Sequence, residues 1–557
     1  MREDMQTLKN PVSRGFALTA VLIVMALLLA LLAPFMLGIG QGLGAASESA
    51  GEAENRINLL GARGQLFQSG ALTQGSLDQT PTHDGLDEFP TGVDLGGSRD
   101  RNDAQENPLA SAQVLGGDSE DLQGRIHAPT APLMVWANLL GLWSTLSRDL
   151  EVKETGVIEV DDPSRFDEEG WVWIGQELIH YGQRTDSGLE DLTRGVNAGP
   201  PELPPDPFGP PASHNQGSFV VDARCRLLVT WQFDEGGTER KEWRPWTSLE
   251  ELTRVSEMNF GELTLERVEK LGNFLAFAGA RPVGSSFGPK ERVFNELLPG
   301  MTNALVVKDA HSMPRGSTVR ITAKDGEEWA LVVAHRPGHP GLTTVRTRTM
   351  WTIVLDRPVQ LEAQEGEARV EPLLPVPVNL NTARKETLAF LIEGLRQRTR
   401  ATQGDHAGMP RPVSRSVARA LAEAILAERS PTEDQDFERP FEHFEALTRR
   451  VFVPMMEEGA LDRGILFYLE RLLMHGSWAG HWHAGIPVCF DSAGLVAYRV
   501  AGALRTGAGV TRAHQERTGN AFLQPGRAID RFYATQAMFE EAARIDRKHK
   551  YWQTWPI

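Results

Sequence analysis

The spacing of apolar and polar positions changes several times along this chain, and each change marks an element. Phe16 to Ile39 reads FALTAVLIVMALLLALLAPFMLGI, 24 residues without a charge. As a helix this run spans roughly 36 Å, enough for a hydrocarbon core of about 30 Å. Nothing later matches it, which predicts a single membrane anchor. From Gln41 to Leu72, Ala46, Ala50, Ala53, Ile57, Leu60 and Phe67 recur at helical spacing, so the helix is expected to continue to near Gly70. Thr73 to Ala128 carries 11 acidic and three basic residues, with Phe89 as its one aromatic. Such a segment buries too little apolar surface to offset ordering, which predicts a flexible acidic linker. Pro132 to Trp143 then reads as a short apolar helix. Alternation in Val157–Val160 and Gly170–Tyr181 predicts small antiparallel strands in a sandwich.

Later segments echo earlier ones. Val306–Ala310, leading through Met313 and Gly316 to Thr318–Ile321, repeats the pattern of Val160–Asp162, Phe166, Gly170 and Ile174, which predicts a second β-module over about 300–370. Pro245-Trp246-Thr247-Ser248-Leu249-Glu250-Glu251-Leu252 parallels Pro440-Phe441-Glu442-His443-Phe444-Glu445-Ala446-Leu447. In each, an aromatic precedes a capping turn, and an apolar-x-x-Leu pair forms one helix face. Helices are also expected over 264–275, 385–395 and 416–429, the last with Val417, Leu421, Ile425 and Leu426 on one side. Asn379 and Asn381 can satisfy backbone groups in a tight turn, and Thr382 can cap the helix that follows. Pro487–Phe490 and Leu495–Val500 read as a hairpin, and Arg512 to the C-terminus as a helix and tail. The boundaries that follow are 1–15, 16–72, 73–130, 131–240, 241–285, 286–375, 376–475 and 476–557.

Composition narrows the function classes. The net charge of −17, from 74 acidic and 57 basic residues, disfavours a nucleic-acid coat. Two cysteines, Cys225 and Cys489, exclude a disulfide-dense scaffold and a cysteine-only zinc site. Arg2, Lys9 and Arg14 precede the apolar run, so the large C-terminal part is expected outside the cytoplasm.

The leader ends abruptly as Ser13-Arg14-Gly15, followed at once by Phe16. This resembles the signal of type IV pilins and pseudopilins, whose peptidase cuts after the glycine on the cytoplasmic side and methylates the new N-terminus. Carried over, cleavage falls between Gly15 and Phe16. Pro34 sits where pilin-type helices commonly kink. Most members carry a glutamate as the fifth mature residue, whereas this chain has Ala20. A carboxylate in hydrocarbon is costly unless paired, so Ala20 implies that no upper neighbour offers an amine. In this the chain resembles the K-type minor pseudopilin of type II secretion, which sits at the filament tip. Val378-Asn379-Leu380-Asn381-Thr382-Ala383 before a short helix, and Pro440-Phe441-x-x-Phe444-x-x-Leu447 beyond it, resemble that family's paired helical domain. Pro245–Leu252 with Thr264–Leu275 resembles its first half, which implies that the β-module at about 300–370 is an insertion between the halves.

The resemblance implies an α+β protein. A pilin-like transmembrane helix would carry a periplasmic β-sheet head, an inserted SAM-like or helix-hairpin-helix-like α-domain and extra small β-modules. It also implies a non-enzymatic, single-pass inner-membrane subunit. Its partners would be other minor pseudopilins, the major pseudopilin, the prepilin peptidase, membrane lipid and secreted cargo.

Three other chemistries compete. A competence-type pilus tip would bind DNA through a Gly-Ile-Gly-like hairpin, but here that place reads Ile392-Glu393-Gly394-Leu395-Arg396-Gln397. Arg396, Arg398 and Arg400 are read as a solvated helix end. A membrane-anchored hydrolase would use Glu177, His180 and His214, or the C-terminal histidines His475, His481 and His483. The bland alternative is a glutamate and a tyrosine on a strand beside a turn histidine. Calcium would suit the acidic stretch, but the D-x-[DN]-x-[DN]-G pattern is missing, and no cofactor is expected.

Overall fold

A computed structural model describes residues 21–28, 111–175, 177–194, 211–233, 243–253, 263–277, 287–337, 350–396, 412–429, 440–441, 443–461, 469, 473, 483–490, 495–505, 511–523 and 552–555. Helix and sheet are mixed, as an α+β chain requires. Two compact units are formed: one takes in 1–66, 89–117 and 499–517, the other 67–88, 118–498 and 518–557. Among the described residues no helix is long and apolar enough to cross a membrane. Of the 16–39 run only Val21–Leu28 is described, as helix with its apolar side chains exposed.

The first β-module has six strands: β1 (Trp143–Thr145), β2 (Val157–Glu159), β3 (Gly170–Ile174), β4 (Glu177–Arg184), β5 (Gly188–Arg194) and β6 (Phe219–Asp222). Their order across the sheet is β1-β6-β3-β4-β5-β2. The outer strands meet through the Leu146–Val160 bridge and the Ser147 N to Glu159 O bond of 3.0 Å. The sheet therefore returns on itself as a small antiparallel barrel rather than a sandwich, which leaves few unpaired edges. Ile158, Val172, Ile174, Ile179, Tyr181 and Val220 fill it, and Phe166 closes it from the β2–β3 connection.

The second module repeats this plan. Its strands are β7 (Glu291–Arg292), β8 (Ala304–Val307), β9 (Thr318–Ala323), β10 (Gly326–Pro337), β11 (Trp351–Leu355) and β12 (Arg369–Pro372). Their order is β7-β12-β9-β10-β11-β8, the same permutation as in the first module. Met313 is fully buried in the β8–β9 connection, at the place Phe166 holds in the other barrel. The weak sequence echo thus corresponds to a shared topology, with the plugging side chain at the alignable position.

The helical body is also built from two alike halves. In the first, a strand at Ile126–His127 leads to α1 (Leu133–Leu140), then α2 (Ala223–Thr230), α3 (Leu249–Leu252) and α4 (Leu265–Glu269). Leu275–Ala276 returns parallel to Ile126–His127. In the second, Val378–Asn379 leads to α5 (Lys385–Ile392), α6 (Arg415–Arg429), α7 (Phe444–Leu447) and α8 (Val453–Glu457). Val488–Cys489 returns parallel to Val378–Asn379.

Barrel one interrupts the first half, and barrel two lies between the halves in sequence. Trp136, Trp246, Leu252, Leu388, Leu421, Phe441 and Leu447 share one core. The α1 helix is apolar on nearly every side because it lies inside that core. Asn138, the sixth residue of α1, donates to the carbonyl of Phe390, the sixth residue of α5, at 2.7 Å.

The two capping turns form as their sequences predict. Ser248 Oγ accepts from Glu251 N, and His443 Nδ1 accepts from Ala446 N. Trp246 and Phe441 are buried in both copies, and each backbone N–H donates to a side-chain amide oxygen, of Gln232 and Asn381 respectively.

Other expectations are corrected. Asp121–Thr130, assigned to the acidic linker, is folded: Asp121, Leu122, Ile126 and Ala128 are buried. Ser111–Asp121, within the same stretch, is strand, so the polar composition of 73–128 as a whole hides an ordered end. Val488–Cys489 pairs with Val378–Asn379 and not with Leu495–Arg505. Leu495–Arg505 lies instead in a four-stranded sheet, in the order Ser111–Asp121, Leu495–Arg505, Thr511–Leu523, Trp552–Trp555. Part of the expected C-terminal helix is therefore strand.

Candidate functional site

The Val378–Ala383 segment is a buried polar hub. Asn379 Oδ1 accepts from Asn381 N at 3.1 Å, the tight turn expected of an asparagine two residues upstream. Asn379 Nδ2 and Thr382 Oγ1 each donate to Asp121 Oδ2 at 2.9 Å. Asn381 Nδ2 donates to the carbonyls of Phe441 at 2.8 Å and Phe490 at 2.9 Å, and its Oδ1 accepts from Phe441 N at 2.8 Å. Arg429, at the end of α6, donates to the carbonyls of Leu380 and Ala383. Asn379, Asn381, Thr382, Asp121 and Arg429 are all buried.

Thr382 therefore does not cap α5. That helix begins at Lys385 with Arg384 at its cap and no side-chain cap bond. The hydroxyl is drawn to a carboxylate distant in sequence because a buried acid must find donors. In the sequence Asp121 is masked by the acids beside it, Asp118 and Glu120. The signal that singles it out is the apolar Leu122-x-x-x-Ile126 immediately after it.

Gly15, Phe16, Ala20 and Pro34 lie outside the described residues, as do Arg398, Arg400, His475 and His481. The hairpin position of the DNA-binding alternative is described and is closed. Gly394 has φ +76°, and a Cβ there would lie 2.8 Å from Met134 Cε and 3.2 Å from the Trp143 ring. Glu393, 1% exposed, accepts from Arg165 at 3.0 Å and Arg415 at 3.2 Å, tying barrel one to α5 and α6. Arg396 is buried with its guanidinium 4.2 Å over the Phe219 ring, not solvated. Burial, and then the neighbouring Arg315 charge, push its pKa down to about 10. Gly394 N donates to Val413 O at 2.9 Å, so the amide of the hairpin glycine is spent within the fold.

Glu177, Arg194 and His214 come together in barrel one, while His180 does not join them and packs edge-on against Trp171. Arg194 Nε and Nη2 donate to the two Glu177 oxygens at 2.9 Å each. His214 Nε2 lies 2.8 Å from Oε2, and Ala212 N donates to the same oxygen at 3.2 Å. Burial alone would raise the Glu177 pKa. The hydrogen bonds from His214, Arg194 and the Ala212 N–H, with the Arg194 charge, outweigh it and hold the carboxyl below its ordinary value.

His483 is buried with its ring edge-on to Phe219, beside a small pocket of about 10 Å³ lined by Asn138, Glu393 and Arg396, room for about one water. Among the described residues no group of three His, Cys, Asp or Glu side chains is placed to hold a metal ion. Comparison with known families, curated proteins and solved structures gives no match to this chain.

Proposed function

We propose that the chain is a large minor pseudopilin of the K type, a non-enzymatic subunit at the tip of a type II secretion-like pseudopilus. The observation that carries this reading is the basic leader ending at Gly15, with Phe16 opening an uncharged run of 24 residues and Ala20 at the fifth mature position. Retained after cleavage, that run anchors the subunit in the inner membrane and packs into a filament stem. With no carboxylate at position 20, the stem has nothing to neutralise the amine of a subunit above it, which suits a terminal place.

The helical body supports the reading. It has two halves with barrel two between them, and the Val378–Ala383 segment opens the second half. Two appended barrels make a head too bulky to repeat in a tightly packed filament. The other minor pseudopilins, the major pseudopilin below and secreted cargo are the partners this place requires.

N-terminal mass spectrometry of the mature protein, made in cells with a prepilin peptidase, tests the reading. The expected species starts at an N-methylated Phe16. An intact Met1 leader overturns the proposal, as does a filament built along its whole length from this chain alone.

A further inference from the structure

The helical body contains its own control. Its first half opens with Ile126-His127-Ala128-Pro129-Thr130-Ala131 and its second with Val378-Asn379-Leu380-Asn381-Thr382-Ala383. Each segment begins a parallel strand pair and leads into an eight-residue helix. In the first copy His127 and Pro129 stand where the second has Asn379 and Asn381. The His127 ring meets Thr130 Oγ1 at 2.8 Å, and no carboxylate takes part in that bond. The first copy therefore carries neither asparagine.

What sets the second copy apart is where the chain leads from its partners. Asp121, held by Asn379 and Thr382, is the last residue of the strand Ser111–Asp121. Phe490, held by Asn381, shortly precedes the strand Leu495–Arg505. Gly124 lets the first passage press close: a Cβ there would lie 2.9 Å from the Thr382 backbone. The second passage is further tied by Val378 N to Pro487 O and Leu380 N to Cys489 O, both 2.9 Å.

We propose that Val378–Ala383 is a clasp. It fixes to each other the two passages of chain, at Asp121 and at Phe490, through which the helical body continues into the strands 111–121 and 495–505. Because one short turn supplies the donors for both, the two passages are energetically coupled, and loosening either loosens the other. The coupling does not rest on the pseudopilin reading.

Hydrogen exchange of the full chain in detergent, comparing Thr382→Val and Thr382→Ser with the wild type, tests the clasp. Thr382→Val keeps the shape and removes only the donor to Asp121. Amides at 122–127 are expected to lose protection by roughly tenfold, and those at 486–490, a passage held by Val378, Leu380 and Asn381, to follow. Barrel amides at 172–181 and 319–332 should be unchanged, and Thr382→Ser should restore protection at both passages. A loss confined to 122–127, a loss spread equally into the barrels, or no loss overturns the proposal.

Should Thr382→Val fail to fold, Asn381→Asp removes the donor to Phe490, and with it the donor to Phe441, and makes the reciprocal demand on 122–127. These outcomes do not depend on cleavage before Phe16, so failure of the clasp and failure of the pseudopilin reading are read separately.

Discussion

At Glu177 a single carboxylate is met by a bidentate arginine, a histidine and a backbone N–H, all within barrel one. Removing one partner from such a set leaves the other charge buried; Arg194 has a side chain only 2% exposed. Glu177→Gln is therefore expected to cost about 3–5 kcal/mol, measured as a shift in chemical denaturation. A carboxyl held below its ordinary 4.5 contributes its full stabilisation above that pH and loses it as pH falls through the lower folded value. Wild-type stability should accordingly drop below about pH 4.5 more steeply than that of the glutamine variant. A carboxylate kept ionised with both oxygens engaged is poorly suited to give up a proton as a general acid.

At the scale of elements, the turn after α5 shows how one local motif can serve opposite ends. Gly394 adopts φ +76°, as a hairpin glycine would, but its open side faces Met134 and Trp143. Gly394→Ala meets both a backbone penalty and a steric one, and should lower stability by about 1–3 kcal/mol in a thermal melt. Met134→Ala should relieve only the clash with Met134 Cε, so the double variant is expected to lose less stability than the sum of the two single ones. The repeated capping turns at Ser248 and His443 make the complementary point: a serine and a histidine each present an acceptor to the N–H three residues on, so the two copies fold alike.

For the whole molecule, a net charge of −17 and a closed hairpin argue the same way about nucleic acid. The purified protein should leave a DNA column at low ionic strength; retention beyond about 0.3 M salt would mean a basic face elsewhere on the chain. Two barrels of one topology, each with its own core, point to duplication of a β-module within a chain whose helical body is itself doubled.

Side-chain spacing and residue type by themselves determined the strands of the two β-modules, the paired capping turns, the long amphipathic α6 and the Asn379–Asn381 turn, because these follow from side chains within one element. At Thr511–Leu523 the same signals point to helix where the chain is strand. Only the tertiary structure decided that the six-stranded sheets close, that Arg396 is buried, and that Thr382 turns away from its own helix toward Asp121. Each of those depends on a partner far along the chain, and a sequence pattern carries no sign of which distant carboxylate or ring will satisfy a polar group once both are removed from water.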